Sequence, residues 1–403
     1  MRKLKVGVIG LGNRGRGLME TILKGIDEMD IIAVSDVYQD RVDDAIKKVQ
    51  EKNGTTPFGS TDYKDVLALK EVEAVIVATS WETHVSVSID AMRAGKATGM
   101  EVGGAYNLEE LWELVDAYEE TKTPFMFLEN CCYGEWELLV TNIVRQGDFG
   151  DVVHCSGAYA HDLREEITTG KEKRHYRLNN YINRNGENYP THELGPIAKL
   201  LNINRGNKMV KLVSVASRQA GLTDYVKRNP DRIDQSLLDV EFKQGDIVNT
   251  IITCEDGSTI ALKLDTSLPR FYSREFSVHG TKGLYSGLAH TVYFEGENEW
   301  NSHQKHNNQD NWKEKYSVPI WKNFTEEQRK LGHGGMDFFE LRAFANHVLN
   351  NEEIPIDVYD AAAWMAITCL SEQSIKDNVF VEIPDFTRGK YKTRPSMDVV
   401  PLK

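Results

Sequence analysis

A glycine-rich turn between a buried strand and a helix places the strongest constraint on this chain. Residues 5–9 form an apolar strand, Gly10-Leu11-Gly12-Asn13-Arg14-Gly15 follows it, and residues 15–24 have helical periodicity. The glycines permit a tight turn and let a pyrophosphate approach backbone N–H groups at a helix N-terminus. Six residues alone are a weak signal, but this strand–turn–helix context is the fingerprint of dinucleotide binding.

An acidic residue at the end of the second strand supports this interpretation. Residues 30–34 are predicted to be a strand that ends at Ser35-Asp36. Asp36 would accept hydrogen bonds from an adenosine ribose and repel a 2′-phosphate, so NAD is favoured over NADP. Arg14 and Arg16 weaken that preference, because a nearby arginine can hold a 2′-phosphate. The alternative is a glycine turn that binds no nucleotide.

The first third of the chain continues this alternation of short apolar strands and helices. Such alternation is typical of a doubly wound parallel sheet, so residues 1–130 are predicted to be a dinucleotide-binding Rossmann domain. The further predicted strands are residues 74–78, 97–100 and 124–128, and the further predicted helices are residues 40–51, 83–94 and 108–121.

Residues 131–403 have a different pattern and are predicted to form an α+β domain with a mostly antiparallel, open sheet. A hairpin signal, Glu255-Asp256-Gly257, separates two of its predicted strands. Two helices, residues 337–350 and 358–378, close the chain, and this C-terminal segment is expected to return to the first domain. The polar residues 300–321 are predicted to be a surface loop. The predicted strands are residues 152–160, 211–217, 247–254, 258–265, 275–279 and 292–295.

Composition excludes several classes of function. The formal net charge of −13 offers no basic face for phosphates, so a nucleic-acid-binding role is not expected. The chain runs from Met1 directly into a strand and has no stretch of about 18 apolar residues, so neither export nor membrane insertion is expected. Five cysteines without zinc-type spacing argue against a disulfide framework or a metal site. We therefore expect a cytoplasmic protein without a metal.

Three further strand ends in the first domain carry side chains suited to a dinucleotide. Ligands of parallel sheets bind at the carboxyl ends of the strands. Trp81 can lie against an adenine or nicotinamide ring, and His84 begins the helix that follows. Glu101 can face the nicotinamide ribose, and Asn130 can bond that ribose or the substrate. The structural alternatives are that Trp81 covers the sheet edge and that Glu101 is a solvated residue near a helix start.

The segment Tyr189-Pro190-Thr191-His192 carries the strongest chemical signal of the second domain. Proline is expected to hold the backbone extended, Thr191 suits a helix N-cap, and His192 then falls in the first helical turn. The positive end of a helix favours a neutral imidazole, which is the base needed when NAD oxidises a hydroxyl. A lone histidine is more often structural, and that alternative stays open.

Other polar side chains of the second domain are candidates for the same site. Tyr159 lies near the end of a predicted strand, Arg177 lies in a polar segment dotted with aromatic residues, and Tyr272 follows another strand. Gly332-His333-Gly334-Gly335-Met336-Asp337 is a glycine-rich loop that opens a helix, where backbone can approach a ligand closely. Taken singly, each is explained as well by a position in a loop or on a sheet surface.

Taken together, these stretches resemble glycoside hydrolase family 109, the NAD-dependent α-N-acetylgalactosaminidases of the glucose–fructose oxidoreductase-like superfamily. The resemblance extends over most of the chain, and its second-domain motifs are more specific than the glycine turn. It is carried by Gly10-Leu11-Gly12-Asn13-Arg14-Gly15, Trp81 to His84, Gly95-Lys96, Leu128-Glu129-Asn130-Cys131-Cys132-Tyr133, Gly157-Ala158-Tyr159, Tyr176-Arg177-Leu178, Tyr189-Pro190-Thr191-His192, Asn202-Ile203-Asn204-Arg205-Gly206 and Gly332-His333-Gly334-Gly335-Met336-Asp337.

The resemblance implies a site and a mechanism. NAD oxidises C3 of a glycoside, a base removes the acidified C2 proton, the aglycone is eliminated, water adds at C1, and the ketone is reduced again. His192 and Tyr159 are assigned to catalysis, and a homo-oligomer formed through the open sheet is expected. The implied NAD contacts are Asn13, Arg14, Asp36, Trp81, His84, Glu101, Val102, Asn130 and Tyr189, and the implied sugar contacts are Tyr159, Arg177, Tyr189, Pro190, Thr191, His192 and Tyr272.

This chain departs from the family pattern in two places. The family commonly has Glu-Val-Pro-Ala-Ala where this chain has Glu101-Val102-Gly103-Gly104-Ala105. The two glycines are expected to reshape the nicotinamide side of the pocket. The segment between Tyr159 and Tyr189 is shorter than in the family, where it lines the sugar site.

Three alternative functions remain open from the sequence. An NAD-dependent sugar or polyol dehydrogenase would release NADH, but dehydrogenases of this superfamily usually have a catalytic lysine where this chain has Val102. The same cycle on other glycosides, of either anomeric configuration, is a second alternative. A non-catalytic NAD-binding sensor is a third, and it has no need for Tyr159, Arg177, His192 and Tyr272 together.

Overall fold

A computed structural model describes residues 2–296 and 307–403 of the chain. The chain forms two compact units, each assembled from separate stretches of sequence. The first unit comprises Met1–Tyr133 and Asn323–Ala362, and the second comprises Gly134–Lys322 and Ala363–Lys403. The strands, numbered along the chain, are β1 (Leu4–Ile9), β2 (Met29–Ser35), β3 (Phe58–Ser60), β4 (Ala74–Val77), β5 (Ala97–Glu101), β6 (Phe125–Leu128), β7 (Val152–Ala160), β8 (Met209–Ala216), β9 (Ile247–Cys254), β10 (Thr259–Asp265), β11 (Ser277–Gly280), β12 (Gly283–Ser286), β13 (Thr291–Phe294) and β14 (Val381–Glu382).

Fifteen α-helices are found among the described residues, together with several short 3₁₀ turns. They are α1 (Asn13–Gly25), α2 (Gln39–Asn53), α3 (Tyr63–Ala68), α4 (His84–Arg93), α5 (Leu108–Thr121), α6 (Glu135–Arg145), α7 (Arg164–Thr168), α8 (Arg177–Asn183), α9 (Thr191–Leu200), α10 (Gly221–Arg228), α11 (Lys313–Tyr316), α12 (Pro319–Lys322), α13 (Glu326–Arg329), α14 (Met336–Asn350) and α15 (Val358–Asp377). Within this part of the chain, no helix combines the length and the apolar character that crossing a membrane requires.

The first unit contains a six-stranded parallel sheet in the order β3-β2-β1-β4-β5-β6. This confirms the predicted doubly wound Rossmann fold. The order reverses between β1 and β4, and ligands of such sheets bind outside the carboxyl ends of the strands at that point. The sequence predicted five of the six strands. It missed β3, which is three residues long and contains a glycine, and therefore gives no periodic signal.

The central strands of this sheet are buried on both faces, which explains their continuous apolar sequences. Residues Ala74–Val77 of β4 are entirely inaccessible to solvent, and Ile9 of β1 joins β4 in a shared apolar core.

A capping box, in which Asn107 and Glu110 bond each other's backbone N–H groups, fixes the start of α5. Such local signals made these elements predictable.

The second unit contains an eight-stranded sheet in the order β13-β12-β11-β7-β10-β9-β8-β14. Strands β7 and β10 are parallel, and the other neighbouring pairs are antiparallel. Burial alternates along β9, where Val248, Thr250 and Ile252 are buried while Asn249 and Ile251 are exposed. One face is therefore covered and the other is open, as predicted.

Helix α9 packs on β7, and a glycine makes this contact possible. A Cβ atom at Gly157 would lie 2.7 Å from the Cβ of Glu193, so only glycine lets the first turn of α9 approach the strand this closely. The sequence predicted Thr191 as the N-cap of this helix, after an extended proline. Both details were wrong, because the helix begins at Thr191 and its N-cap Pro190 already has a helical conformation.

The predicted surface loop at residues 300–321 is wrong where the structure describes it. Residues 300–306 lie outside the described residues, whereas a 3₁₀ turn (Gln309–Trp312), α11 and α12 occupy most of the remainder. Tyr316, Val318 and Trp321 are buried there. Apolar residues separated by polar ones formed helices too short to give a helical signal in the sequence.

Candidate active site

The glycine turn of the first unit is shaped by close contacts that exclude side chains. Gly10 has a φ of +91°, and a Cβ atom there would lie 2.5 Å from the carbonyl carbon of Ala78, directly after β4. A Cβ atom at Gly15 would lie 1.8 Å from the carbonyl oxygen of Gly10. Neither position tolerates another residue. The turn therefore brings the start of α1 close to the switch point of the sheet.

The N-terminus of α1 is suited to a pyrophosphate. Its N-cap is Gly12, which offers no side chain to cap the helix, and its first turn contains no acidic residue. The first N–H groups of an α-helix have no partner within the helix, and they carry the positive end of the helix dipole. The residues present therefore fit the phosphates of NAD.

Asp36 lies directly after β2 and is fixed against the same turn. Its Oδ2 accepts a hydrogen bond from the Leu11 N–H at 2.7 Å, and its Oδ1 accepts one from the Tyr38 N–H at 3.0 Å. Arg41 on α2 donates to Oδ2 from Nη1 at 3.4 Å. The carboxylate is buried and its orientation is set by these three donors.

Trp81 and His84 lie at the carboxyl end of β4, as predicted from the sequence, and both are buried. A Cβ atom at Gly103 would lie 2.3 Å from Cδ1 of Trp81 and 2.8 Å from Cε1 of His84. The departure from the family pattern at Gly103 therefore has a structural consequence: the two rings pack directly against the backbone after β5.

The imidazole of His84 is a buried polar group that points to a ligand. Its side chain is 1% exposed, and neither ring nitrogen has a hydrogen-bond partner within residues 2–296 and 307–403. Burial lowers the pKa of His84 to about 3, so the ring is neutral. A buried, neutral ring with two unused polar atoms is consistent with a site that a nucleotide completes.

Arg14 forms the centre of a charged group in the first unit, which we call the Arg14 cluster. Its Nε donates to Oε1 of Glu101 at 2.7 Å and its Nη1 donates to Oδ2 of Asp337 at 2.6 Å. A third carboxyl, that of Glu340, lies 3.9 Å from Nη2. Arg14 was predicted as a possible partner of a 2′-phosphate, but its guanidinium is engaged by these carboxylates.

Asp337 links the Arg14 cluster to two further candidates. Its Oδ1 accepts a hydrogen bond from Nδ2 of Asn130 at 2.7 Å, and its Oδ2 lies 2.9 Å from Nδ1 of His333. A Cβ atom at Gly332 would lie 2.2 Å from Oδ2 of Asp337, so the glycine leaves room for the carboxylate. An imidazole oriented by a carboxylate can transfer a proton, and the His333 side chain is half exposed.

The acidic groups of the Arg14 cluster are in different protonation states. Burial alone would raise the pKa of Asp337, but Arg14 and His333 lower it well below its usual range. Burial raises the pKa of Glu340 well above its usual range, and the charge of Glu101 adds to that rise. These surroundings favour the anionic form of Asp337 and the protonated form of Glu340.

The second unit contains an aromatic cluster built on Tyr159, Tyr189 and His192. The ring centroids of Tyr159 and Tyr189 are 4.5 Å apart, and His192 stands edge-on to both, at 5.5 and 4.9 Å. Nε2 of His192 lies 3.4 Å from the hydroxyl of Tyr189. Strand β7 and the start of α9 thus bring Tyr159 together with two residues that lie 30 and 33 positions later in the sequence.

Arg177 supplies the positive charge of the aromatic cluster. Its Cζ lies 4.9 Å from the ring centroid of Tyr189 and 6.0 Å from that of Tyr159. Its Nε lies 2.8 Å from Oε1 of Glu166 on α7, so the charge is balanced within the unit. Burial raises the pKa of Tyr159 far above its usual value although Arg177 acts in the opposite direction, so the phenol remains protonated.

Tyr272 and His161 form the exposed edge of the aromatic cluster. The ring centroids of these two residues are 5.2 Å apart, and Nδ1 of His161 lies 3.5 Å from the hydroxyl of Tyr159. Tyr272 is 48% exposed, and its hydroxyl accepts a hydrogen bond from Arg274 at 3.3 Å. The backbone pairing of Ala160 with Ser273 holds the two segments together.

The structure thus distributes the predicted residues over two regions. Eight of the implied NAD contacts lie in the first unit, and Tyr189 lies in the second with the implied sugar contacts. The sequence placed Asp337 in the glycine-rich motif before α14 without giving it a role, and it did not single out Glu340, Glu166 or His161. Nothing local marks Glu166 as a neighbour of Arg177, whereas His161 lies two positions after Tyr159.

Comparison with known protein families divides the chain into two matches. Residues 4–128 match a family described as an oxidoreductase family with an NAD-binding Rossmann fold. Residues 133–393 match the C-terminal domain of glycosyl hydrolase 109. The second match alone covers more than half of the chain.

Individual relatives agree with both matches. A glycosyl hydrolase family 109 protein of Stenotrophomonas maltophilia is 36% identical over 98% of this chain and 91% of its own length. An α-N-acetylgalactosaminidase of Tannerella forsythia is 34% identical over 96% of this chain and 87% of its own length. Among solved structures, a levoglucosan dehydrogenase in complex with NADH and levoglucosan has a TM-score of 0.72 at 16% identity, over 95% of this chain and all of the other. At that identity the likeness shows the fold alone.

Proposed function

The chain belongs to glycosyl hydrolase family 109 and is an NAD-dependent glycoside hydrolase, and from this premise we propose that it cleaves α-N-acetylgalactosaminides by oxidation and elimination. The similarity to the α-N-acetylgalactosaminidase of Tannerella forsythia supports the choice of sugar. The observation that carries the proposal is the convergence of Tyr159, Tyr189, His192 and Arg177 in one cluster.

We propose that the first unit holds NAD and that the second unit holds the sugar. In the first unit, Asp36 receives the adenosine ribose, the start of α1 receives the pyrophosphate, and Trp81, Glu101, Val102 and Asn130 contact the nicotinamide half. When bound, NAD supplies a reversible hydride acceptor. In the proposed cycle the hydride would return to the sugar in each turnover, so no net NADH would be expected.

His192 is the proposed base of the aromatic cluster. Imidazole is the commonest general base among side chains, so it can accept a proton from the C3 hydroxyl or from C2. Tyr159 has its pKa raised by burial and therefore serves as a hydrogen-bond donor to the sugar rather than as the base. This assigns one role to each of the two predicted catalytic residues.

Arg177 and Tyr272 are proposed to bind the sugar, together with the segment from Tyr189 to Thr191. A conventional glycosidase places two carboxyl groups about 5–10 Å apart across the scissile bond. Glu166, a carboxylate beside this cluster, is paired with Arg177 at 2.8 Å. The aromatic surroundings of His192 support proton removal by its imidazole rather than catalysis by two free carboxyl groups.

Hydrolysis of p-nitrophenyl glycosides in D₂O tests this function. A panel of α- and β-glycosides, led by the α-N-acetylgalactosaminide, is followed by nitrophenol release and by NADH absorbance, and the free sugar is examined by mass spectrometry. We expect nitrophenol without net NADH and one deuterium at C2 of the product, because the C2 proton is lost and replaced from solvent.

Two outcomes would contradict the proposal in different ways. Nitrophenol release without deuterium at C2 would indicate hydrolysis that does not pass through elimination. Stoichiometric NADH from free sugars, with no nitrophenol, would indicate a dehydrogenase. A preference for another glycoside with deuterium at C2 would retain the mechanism and correct the sugar.

A cytoplasmic location and a homo-oligomer are also proposed. The five cysteines, all within the described residues, form no disulfide, which suits a reducing compartment. Val215 and Ile251 are exposed on the open face of β8 and β9, at 65% and 42%, and offer apolar surface for a second copy. Light scattering of the Val215→Asp/Ile251→Asp protein is expected to show a smaller assembly than that of the wild type.

A further inference from the structure

Arg41 is a cation placed beside the residue expected to receive the adenosine ribose. It lies on α2, five residues after Asp36, and its Nη1 is 3.4 Å from Oδ2 of the Asp36 carboxylate. The same Nη1 is also the heavy atom nearest to the place that a Cβ on Gly12 would occupy, at 3.7 Å. The guanidinium therefore extends from α2 back to the glycine turn.

Two contacts hold Arg41 in this place. Its Cζ lies 4.8 Å from the ring centroid of Tyr38, which is consistent with a cation–π interaction. Its charge is opposed by Asp36, whose other donors are the Leu11 and Tyr38 backbone N–H groups. Asp36 thus has two effects on a 2′-phosphate: its own charge repels the phosphate, and it occupies the nearest guanidinium.

We infer that Arg41 is a latent binding group for a 2′-phosphate and that Asp36 determines the choice of NAD over NADP by keeping Arg41 engaged. A guanidinium binds phosphate oxygens through charge-assisted, often bidentate hydrogen bonds. Removal of the Asp36 carboxylate leaves this guanidinium next to the ribose position without its anion.

The other arginines near the turn do not have this position. Arg14 is engaged by Glu101 and Asp337 in the Arg14 cluster. Arg16 donates from Nη2 to Oδ1 of Asn13 at 2.9 Å, on the outer side of α1. The sequence suggested Arg14 and Arg16 as phosphate partners, whereas the contacts favour Arg41.

Calorimetric titration of the full chain with NAD and NADP, after any bound nucleotide has been removed, tests this inference. Asp36→Ser is expected to tighten NADP binding by about 10- to 100-fold and to weaken NAD binding. Adding Arg41→Ser is expected to abolish the gain. Adding Arg16→Ser to Asp36→Ser, as the matched control, is expected to keep it.

The result that overturns the inference is NADP affinity that survives Arg41→Ser or disappears with Arg16→Ser. Asp36→Asn removes the charge and keeps the shape, so it serves if Asp36→Ser does not fold. No improvement of NADP binding in either variant would also contradict the inference. The titration involves no sugar, so its result can be interpreted even if the proposed glycosidase activity is not found.

Discussion

Charge is arranged very differently in the Arg14 cluster of the first unit and in the aromatic cluster of the second. In the first, three carboxyl groups surround one guanidinium, and a fourth contact comes from His333. In the second, the rings of Tyr159 and Tyr189 lie beside one guanidinium that is already balanced by Glu166.

The difference corresponds to the two ligands that the proposed reaction needs. A dinucleotide presents ribose hydroxyls and charged groups, which carboxylates and oriented amides select. A neutral sugar ring presents C–H faces and hydroxyls, which aromatic rings and phenols accommodate without net charge. Substitutions in one cluster are therefore expected to affect nucleotide binding, and substitutions in the other to affect turnover.

The largest expected effect is that of His192→Ala in the aromatic cluster. Loss of the proposed base is expected to lower kcat by about 10²- to 10⁴-fold, while the affinity for NAD, measured by calorimetry, changes little. His279→Ala is the matched control, because His279 is an exposed histidine on β11 of the same unit whose ring packs on His154. A large loss of NAD affinity in His192→Ala would contradict the assignment of nucleotide binding to the Arg14 cluster and of turnover to the aromatic cluster.

The next effect concerns two acidic residues on α14 that differ in charge. Asp337→Asn removes the anion that accepts hydrogen bonds from Arg14 and Asn130, and we expect NAD binding to weaken by about 10- to 100-fold. Glu340→Gln replaces a carboxyl group whose pKa burial raises well above its usual range, and is expected to lower NAD affinity by less than about threefold. Equal losses from the two substitutions would contradict the assigned protonation states.

The two regions also differ in how much of them could be predicted from the sequence. In the first unit the strands are recognisable from their apolar runs. Because these strands are parallel, the residues that follow them lie at one edge of the sheet, and these residues include Gly10, Asp36, Trp81 and His84. His192 and Tyr159 were singled out by motif, but their proximity depends on Gly157, which admits α9 to β7. Nothing in the local sequence gives that contact.

The contacts of Asp337 and Glu166 show why other parts of the two clusters could not be predicted from the sequence. Asp337 is 323 residues from Arg14 in the sequence, and the contact exists because residues 323–362 return to the first unit. Glu166 precedes Arg177 by 11 positions, but α7 and α8 are helices of 5 and 7 residues. Helices this short carry no periodic signal, so their side chains could not be oriented from the sequence.

A smaller effect is expected at Gly103, where this chain departs from its family. Gly103→Ala would push a methyl group into the indole of Trp81 and the ring of His84, so both must shift. We expect NAD binding to weaken by about 3- to 10-fold, which corresponds to about 0.7–1.4 kcal/mol. Gly17→Ala on α1 is the control, because no heavy atom lies within 4 Å of its added methyl group. Unchanged NAD affinity in Gly103→Ala would mean that Trp81 does not contact the cofactor.

The last expected effect is on stability rather than on binding or turnover, at the fully buried Glu187 of the second unit. Burial raises the pKa of Glu187 to about 8, from 4.5 for an exposed glutamate, and the Tyr189 backbone opposes only part of this rise. A raised folded-state pKa means that the folded protein binds the proton more tightly, so this contribution to stability is complete below about pH 4.5 and is lost as pH rises towards 8.

Glu187→Gln keeps the shape and removes this titration. We therefore expect its melting temperature to be close to that of the wild type at pH 5 and to exceed it increasingly up to pH 8, by about 2–4 °C for each kcal/mol gained. Glu172→Gln, at an exposed position of the same unit, is expected to show no such trend. A constant difference between Glu187→Gln and wild type across this range would show that the carboxyl group does not titrate with folding. The Arg14 cluster can balance a buried carboxylate with a nearby guanidinium, whereas the interior beside the aromatic cluster holds Glu187 in its neutral form.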